Sequence, residues 1–295
     1  MNFNNELDKR TKEVEEIIYG FLAPEKGLAQ KLIEAMNYSI KAGGKRLRPL
    51  LMYEAYQMFG GSDKKVGSFM AAMEMIHTHS LVHDDLPALD DDTMRRGKKT
   101  AHIVYGEAIA ILSGDALLNY AYETAWKAFN SDFDIMRIKK ALEILLYKTG
   151  IHGMLGGQGV DVMNEGRPLS QDALDFIYQN KTAALIESSL MIGAVLAGAT
   201  AEEVKMMEQL GFYIGMAFQI QDDILDVMAT PVTLGKFTGS DAKNNKVTYV
   251  TLKGLDSAQE EVADLTKLAL QLLDNLSQKN EFLFELTKYL MTREK

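Results

Sequence analysis

Apolar residues recur at helical spacing along nearly the whole chain, and no stretch alternates apolar with polar as a half-buried strand would. Val14, Ile17, Ile18 and Phe21 form one such stripe within residues 4–21. The same spacing predicts helices at 27–41, from Pro49 to about Phe59, and at 65–85, 105–129, 134–149, 150–164, 171–178, 180–198, 202–227, 257–275 and 278–292. Glycine pairs at 43–44 and 60–61 punctuate the pattern. Pro49 suits the first turn of a helix, and Pro87 disfavours continuation past Asp85. Residues 230–249, with Pro231, Gly235 and Gly239, read as a loop rather than a linker, since neither a composition shift nor a low-complexity segment divides the chain. The expectation is an all-α fold with residues 1–295 in a single domain.

Composition narrows the function classes. The 295 residues are 47% hydrophobic and 25% charged, as in ordinary globular proteins. The net charge of −9 argues against nucleic acid as a partner. Cysteine is absent, which excludes disulfides and thiolate metal sites and fits a reducing cytoplasm. The charged start, MNFNNELDKRTKEVEE, does not suit a signal peptide, and no apolar run is long enough to insert in a membrane. The 17 methionines suit flexible core filling better than metal binding. Trp126 and the tyrosines of 105–129 are expected in the core or at a dimer contact.

Two acidic clusters stand out. Asp84, Asp85, Asp90, Asp91 and Asp92 crowd into nine positions, with Arg95 and Arg96 directly behind them. Acids this close resist joint ionisation unless a hard cation relieves them, and Mg²⁺ typically takes one or two carboxylates plus phosphate oxygens. Arginine grips phosphate with a planar fork. An acid run alone usually marks a solvated surface. The second cluster, Asp222, Asp223 and Asp226, also ends an apolar helical run, and Asp222 and Asp226 fall one turn apart on one face. Solubility asks for no such pair of clusters.

Other residues fall beside the first cluster. His77 lies two turns, about 10.5 Å, before Asp84 on nearly the same helical face. Lys45 and Arg48 follow Gly43-Gly44 at a helix start, where backbone N–H groups favour an anion. Taken singly, His77 reads as a structural histidine and the two cations as surface charge. His77, His79 and His83, close to Asp84, also admit a rival: a helical His-Asp phosphohydrolase with a metal-activated water. That rival leaves the second acid cluster and the basic residues unused.

The run from Glu74 to Ala88, continuing through Arg95-Arg96-Gly97-Lys98, resembles the first aspartate-rich motif of trans-prenyl diphosphate synthases in its longer bacterial form. Phe218 to Asp226 resembles the second motif. Gly43-Gly44-Lys45-Arg46-Leu47-Arg48-Pro49, Gly157-Gln158, Lys181-Thr182 and Leu234-Gly235-Lys236 also match in order, down to the closing Tyr289-Leu290 and Arg293-Glu294-Lys295. In length and motif form the chain is most similar to the bacterial farnesyl diphosphate branch.

The resemblance implies one large helical bundle around a central cavity, toward which both acid clusters face. It implies Mg²⁺, about three ions once diphosphate is bound, held by Asp84, Asp90 and Asp222, with Asp85 and Asp226 as helpers; Asp91 and Asp92 face solvent. Arg95 and Lys236 would hold the allylic diphosphate. Lys45, Arg48, His77 and Arg96 would hold isopentenyl diphosphate without metal. Lys181, Thr182 and Gln219 would bind the allylic substrate and set oxygens near its developing cation. His79 and Ser80, five and four positions before Asp84, would floor the product pocket. Family members that stop at C15 often carry tyrosine where this chain has His79, so a C15 product is expected and C20 is the alternative. The family is usually a cytoplasmic homodimer. A class I terpene cyclase would not need Lys45, Arg48 and Arg96, and a non-enzymatic regulatory subunit would be expected to have lost aspartates that are intact here.

Overall fold

The computed structural model describes residues 2–228 and 247–292. The chain divides into two compact units, one of Met1–Tyr53 with Gly61–Leu142 and one of Glu54–Gly60 with Glu143–Lys295.

The first unit is built around a helix buried almost all round, α4 (Gly67–Asp84), whose residues from Gly67 to Ile76 are all sequestered from solvent. Three helices pack on it: α1 (Phe3–Tyr19), α2 (Gln30–Ile40) and, after a short α5 (Ala101–Tyr105), α6 (Glu107–Trp126). The Asn2 side chain caps α1 by accepting from the Asn5 N–H, and Val14 and Ile18 are its buried stripe. The first turn of α3 (Leu47–Met58) contains Pro49, where its missing N–H costs nothing. The single helix expected at 105–129 is instead broken at Gly106, whose φ of 86° closes α5 and opens α6. The helix also stops at Trp126, which is 64% exposed and therefore not a core residue.

One element has no counterpart in the periodicity. Met94–Arg95 and Lys98–Lys99 pair as a two-stranded antiparallel hairpin, β1 and β2. Arg96 (φ 53°) and Gly97 (φ 75°) form its turn, both left-handed as a two-residue hairpin demands. Strands of two residues are too short to leave an alternating pattern.

The second unit stacks helices on α11 (Ala201–Met228). Before it come α7 (Ile135–Thr149, which begins in the first unit), α8 (Met154–Asn164), α9 (Gln171–Ile177), a π-helical turn (Tyr178–Ala183) and α10 (Ala184–Ala197). Residues 184–196 of α10 are all buried, and Gly198 ends it in the left-handed conformation. Then follow α12 (Tyr249–Lys253), α13 (Leu255–Asn275) and α14 (Glu281–Thr292). Methionines such as Met52, Met73, Met75 and Met207 do fill the core.

Candidate active site

In the first unit the Gly43-Gly44 turn and the hairpin turn meet. Arg96 donates to the Gly43 carbonyl, and its guanidinium covers Gly44, where a Cβ would overlap it. Arg48 reaches His77, with Nη1 3.4 Å from Nε2. Arginine can only donate, so Nε2 accepts and the imidazole is neutral. Burial, with Arg48 beside it, holds the His77 pKa well below its ordinary value. Burial also pushes Arg48 down to about 10, and its Nε is buried with no hydrogen-bond partner among the described residues. A desolvated cation with an orphaned donor is a place for an anion. Lys45 stands exposed at the same turn.

Beneath this pocket lies Arg46, which the sequence reading passed over. Its side chain is wholly buried at a left-handed φ of 49°. It pairs with Glu74 at 2.6 Å and Glu15 at 3.0 Å and donates to the Ile40 carbonyl at 2.7 Å. These bonds tie the turn to α1, α2 and α4 and place Glu74 as the counter-charge that also acts on Arg48 and Arg96.

The acidic cluster folds back on itself. α4 ends at Asp84, and the Asp90 N–H donates to the Asp84 carbonyl at 2.9 Å, so the four-residue spacer closes into a loop that returns Asp90 to Asp84. Both are half-buried, while Asp91 and Asp92 are exposed. Asp85 is buried and accepts from Arg95 Nε at 2.6 Å; burial raises its pKa to about 6 against the pull of Arg95. Arg95 also pairs with Asp92 at 3.4 Å.

His79 is buried, with Nδ1 3.0 Å from the Gly114 carbonyl and its ring edge-on to His83. His83 Nε2 lies 3.1 Å from the Ile111 carbonyl, and a Cβ on Gly114 would overlap the His83 ring. Ser80 is half-buried and donates to the His77 carbonyl at 2.9 Å.

In the second unit the π-turn carries Lys181 and Thr182. Lys181 Nζ bonds Asp161 of α8 at 2.6 Å, and Thr182 donates to Gln219 of α11 at 2.8 Å. A Cβ on Gly157 would overlap the Lys181 backbone nitrogen, and one on Gly215 would overlap Ala183, so α8 and α11 grip the turn through bare backbone. Asp222 is exposed and Asp226 half-buried, but Asp223 is buried and accepts from Gln219, Tyr178 and the Tyr249 N–H. Lys236 lies outside the described residues.

A family model described as polyprenyl synthetase matches residues 29–286. The chain belongs to the polyprenyl synthetase family. Farnesyl diphosphate synthase of Escherichia coli is 39% identical, with both chains fully covered. A chloroplastic geranylgeranyl pyrophosphate synthase of Capsicum annuum is 43% identical over 88% of this chain and 71% of its own. The crystal structure of a Helicobacter pylori geranyltransferase, complexed with magnesium and isoprenyl diphosphate, matches with a TM-score of 0.83 and 30% identity, covering 99% of this chain and 97% of that one.

The donor set of this synthetase suits Mg²⁺ better than a metal caged by protein alone. Among the described residues no three acidic or histidine side chains converge on one point. Asp84 and Asp90, brought together by a backbone hydrogen bond, could supply the one or two carboxylates that Mg²⁺ takes alongside phosphate oxygens. The residues missed by sequence reasoning (Arg46, Glu74, Asp161, Asp223) are all charges inside helical runs or turns. Arg46, Glu74 and Asp223 lie within the matched motifs but had no role assigned to them; Asp161 lies in none and offered no signal.

Proposed function

We propose that this synthetase joins isopentenyl diphosphate to an allylic diphosphate, dimethylallyl or geranyl, head to tail, and that the product is farnesyl diphosphate. The observation that carries the reading is a half-buried cation pocket, with its buried and orphaned Arg48 Nε, in the same unit as an acidic turn. One diphosphate must leave and wants metal; the other is only held and wants cations alone.

Lys45, Arg48, His77 and Arg96 hold isopentenyl diphosphate. Asp84, Asp90 and Asp222, helped by Asp85 and Asp226, would hold Mg²⁺ for the allylic diphosphate, which Arg95 and Lys236 would also grip. When bound, the metal supplies the Lewis acidity that eases departure of diphosphate. Thr182, Gln219 and the Lys181 turn present oxygens to the allylic cation. The C–O bond to diphosphate breaks, the isopentenyl double bond forms the new C–C bond, and the proton then lost goes to the departed diphosphate. No side chain is needed as a base.

Two rivals lose support. A phosphohydrolase would need imidazole and carboxylate ligands gathered round one metal, yet among the described residues no three such side chains converge. A cyclase has no use for the second pocket. His79, packed against α6, serves as the pocket floor with Ser80 and stops growth at C15; C20 is the alternative, favoured by the relatives that make geranylgeranyl diphosphate and by the smaller ring. We take the residues 1–295 as one catalytic domain, cytoplasmic, and homodimeric through the outer face of α6, where Ile111 and Leu112 are about half exposed. No helix among the described residues is long and apolar enough to cross a membrane.

Mass analysis of products from isopentenyl plus dimethylallyl diphosphate with Mg²⁺ tests the reading. Farnesyl diphosphate is expected. Phosphate release without C–C bond formation would refute the transferase, and efficient elongation of farnesyl diphosphate would replace C15 by C20.

A further inference from the structure

Asp222 and Asp223 are neighbours with opposite surroundings: the first is exposed and the second is 2% exposed. A buried carboxylate beside a metal motif needs partners, and Asp223 has them in an order that carries direction. Its Oδ2 receives the Tyr178 hydroxyl and, at 3.0 Å, the Tyr249 N–H. Its Oδ1 receives Gln219 Nε2 at 3.3 Å. The two ends of the Gln219 amide differ, since one only donates and the other only accepts. With Nε2 drawn to the carboxylate, Oε1 must face Thr182, whose Oγ1 lies 2.8 Å away and donates to it.

We infer that Asp223 is a positioning residue, which fixes the Gln219 amide so that the Thr182 hydroxyl spends its proton on Gln219 and keeps its lone pairs for the developing allylic cation. The inference rests on the reaction proposed above. Each bond in the series polarises the next, so the carboxylate also makes the Thr182 oxygen more negative at a distance. Asp223→Asn reverses the series. Its carbonyl stays with Tyr178 and Tyr249, its NH2 group faces Gln219, and the amide turns over. Gln219 then donates to Thr182 and consumes a lone pair.

The test is a double-mutant cycle on the full chain with Mg²⁺, isopentenyl diphosphate and geranyl diphosphate, comparing wild type, Asp223→Asn, Thr182→Val and the double variant. Asp223→Asn is expected to lower kcat at least about tenfold while both KM values stay within about threefold, and to add no loss where Thr182 is already valine. A purely structural Asp223 would give additive losses, which would overturn the inference. If Asp223→Asn does not fold, as judged by circular dichroism, the ¹⁵N reading of the wild-type protein decides in its place. An independent reading comes from ¹⁵N spectra of the substrate-free protein. The Gln219 side-chain NH2 should resonate downfield with slowed exchange, and both should weaken in Asp223→Asn, where it exchanges a carboxylate acceptor for a neutral hydroxyl; solvent-like signals in the wild type would sink the geometry. A wild-type chain that makes no prenyl product would refute the reaction, leaving the NMR arm to judge the hydrogen-bond series alone.

Discussion

Glu74 is the residue on which the cation pocket depends most. It is 1% exposed and touches Arg46 at 2.6 Å, and its field also reaches Arg48 and Arg96. Removing Glu74 leaves Arg46 only the half-buried Glu15 as a counter-charge, and losing one partner of a buried pair costs up to about 3–5 kcal/mol. Glu74→Gln should therefore lower unfolding stability by that order in urea and raise KM for isopentenyl diphosphate more than for the allylic substrate. Equal changes in both KM values would deny the pocket its separate role. His79 offers a pH signature. Burial, then the neighbouring His83, holds it down to about 4 from an ordinary 6.5. Between those values the unfolded chain binds a proton that the folded chain refuses, so stability falls as the pH drops. In urea unfolding from pH 7 to pH 4, His79→Gln should remove on the order of 3 kcal/mol of that fall; an unchanged slope would mean the ring is hydrated. The sequence pointed to Arg48, His77 and Arg96, because a cation after a Gly-Gly break and a histidine two turns before an acid have a visible register. Glu74 and Arg46 stayed hidden, since a charge in a run is read as solvated until the fold shows what surrounds it.

Among the elements, the π-turn shows both the reach and the limit of periodicity. The apolar pattern lapses near residue 179, and it suggested two helices, at 171–178 and 180–198. The lapse is real, but the backbone crosses it as a continuous π-turn (Tyr178–Ala183) rather than a loop. A π-turn widens the helix by a residue and recurs at functional sites. What holds it here cannot be seen in a pattern of apolar residues, because the gripping positions are glycines on other helices. Gly157→Ala would push a methyl into the Lys181 backbone nitrogen, which has no rotamer to yield. Such overpacking typically costs about 1–3 kcal/mol. Thermal unfolding should report that loss, and kcat should fall with it as Lys181 and Thr182 shift; Gly159→Ala, with open space around the added carbon, should do neither. The hairpin marks the other limit. It carries Arg96 at a left-handed φ to the Gly43-Gly44 turn, and two-residue strands carry no periodic signal.

At the scale of the whole molecule, a chain of net charge −9 must draw in substrates that are themselves strongly anionic. The two diphosphates meet that problem differently. Arg46 and Glu74 largely cancel, which leaves Arg48, Arg96 and exposed Lys45 as surplus positive charge beside neutral His77, where isopentenyl diphosphate is proposed to find its compensation. The allylic diphosphate is proposed to sit against Asp84, Asp90 and Asp222, where like charges repel it until a divalent cation reverses the sign. Chelation should therefore separate the two sites rather than disable both alike. Titration calorimetry in EDTA should show isopentenyl diphosphate binding within about threefold of its affinity with Mg²⁺, while a non-ionisable geranyl diphosphate analogue loses at least about tenfold. Added salt should weaken the first interaction steadily, as screening of exposed Lys45 predicts. If EDTA abolished binding of both ligands equally, the metal-free pocket would lose its meaning, and the division of labour between cations and carboxylates would have to be abandoned.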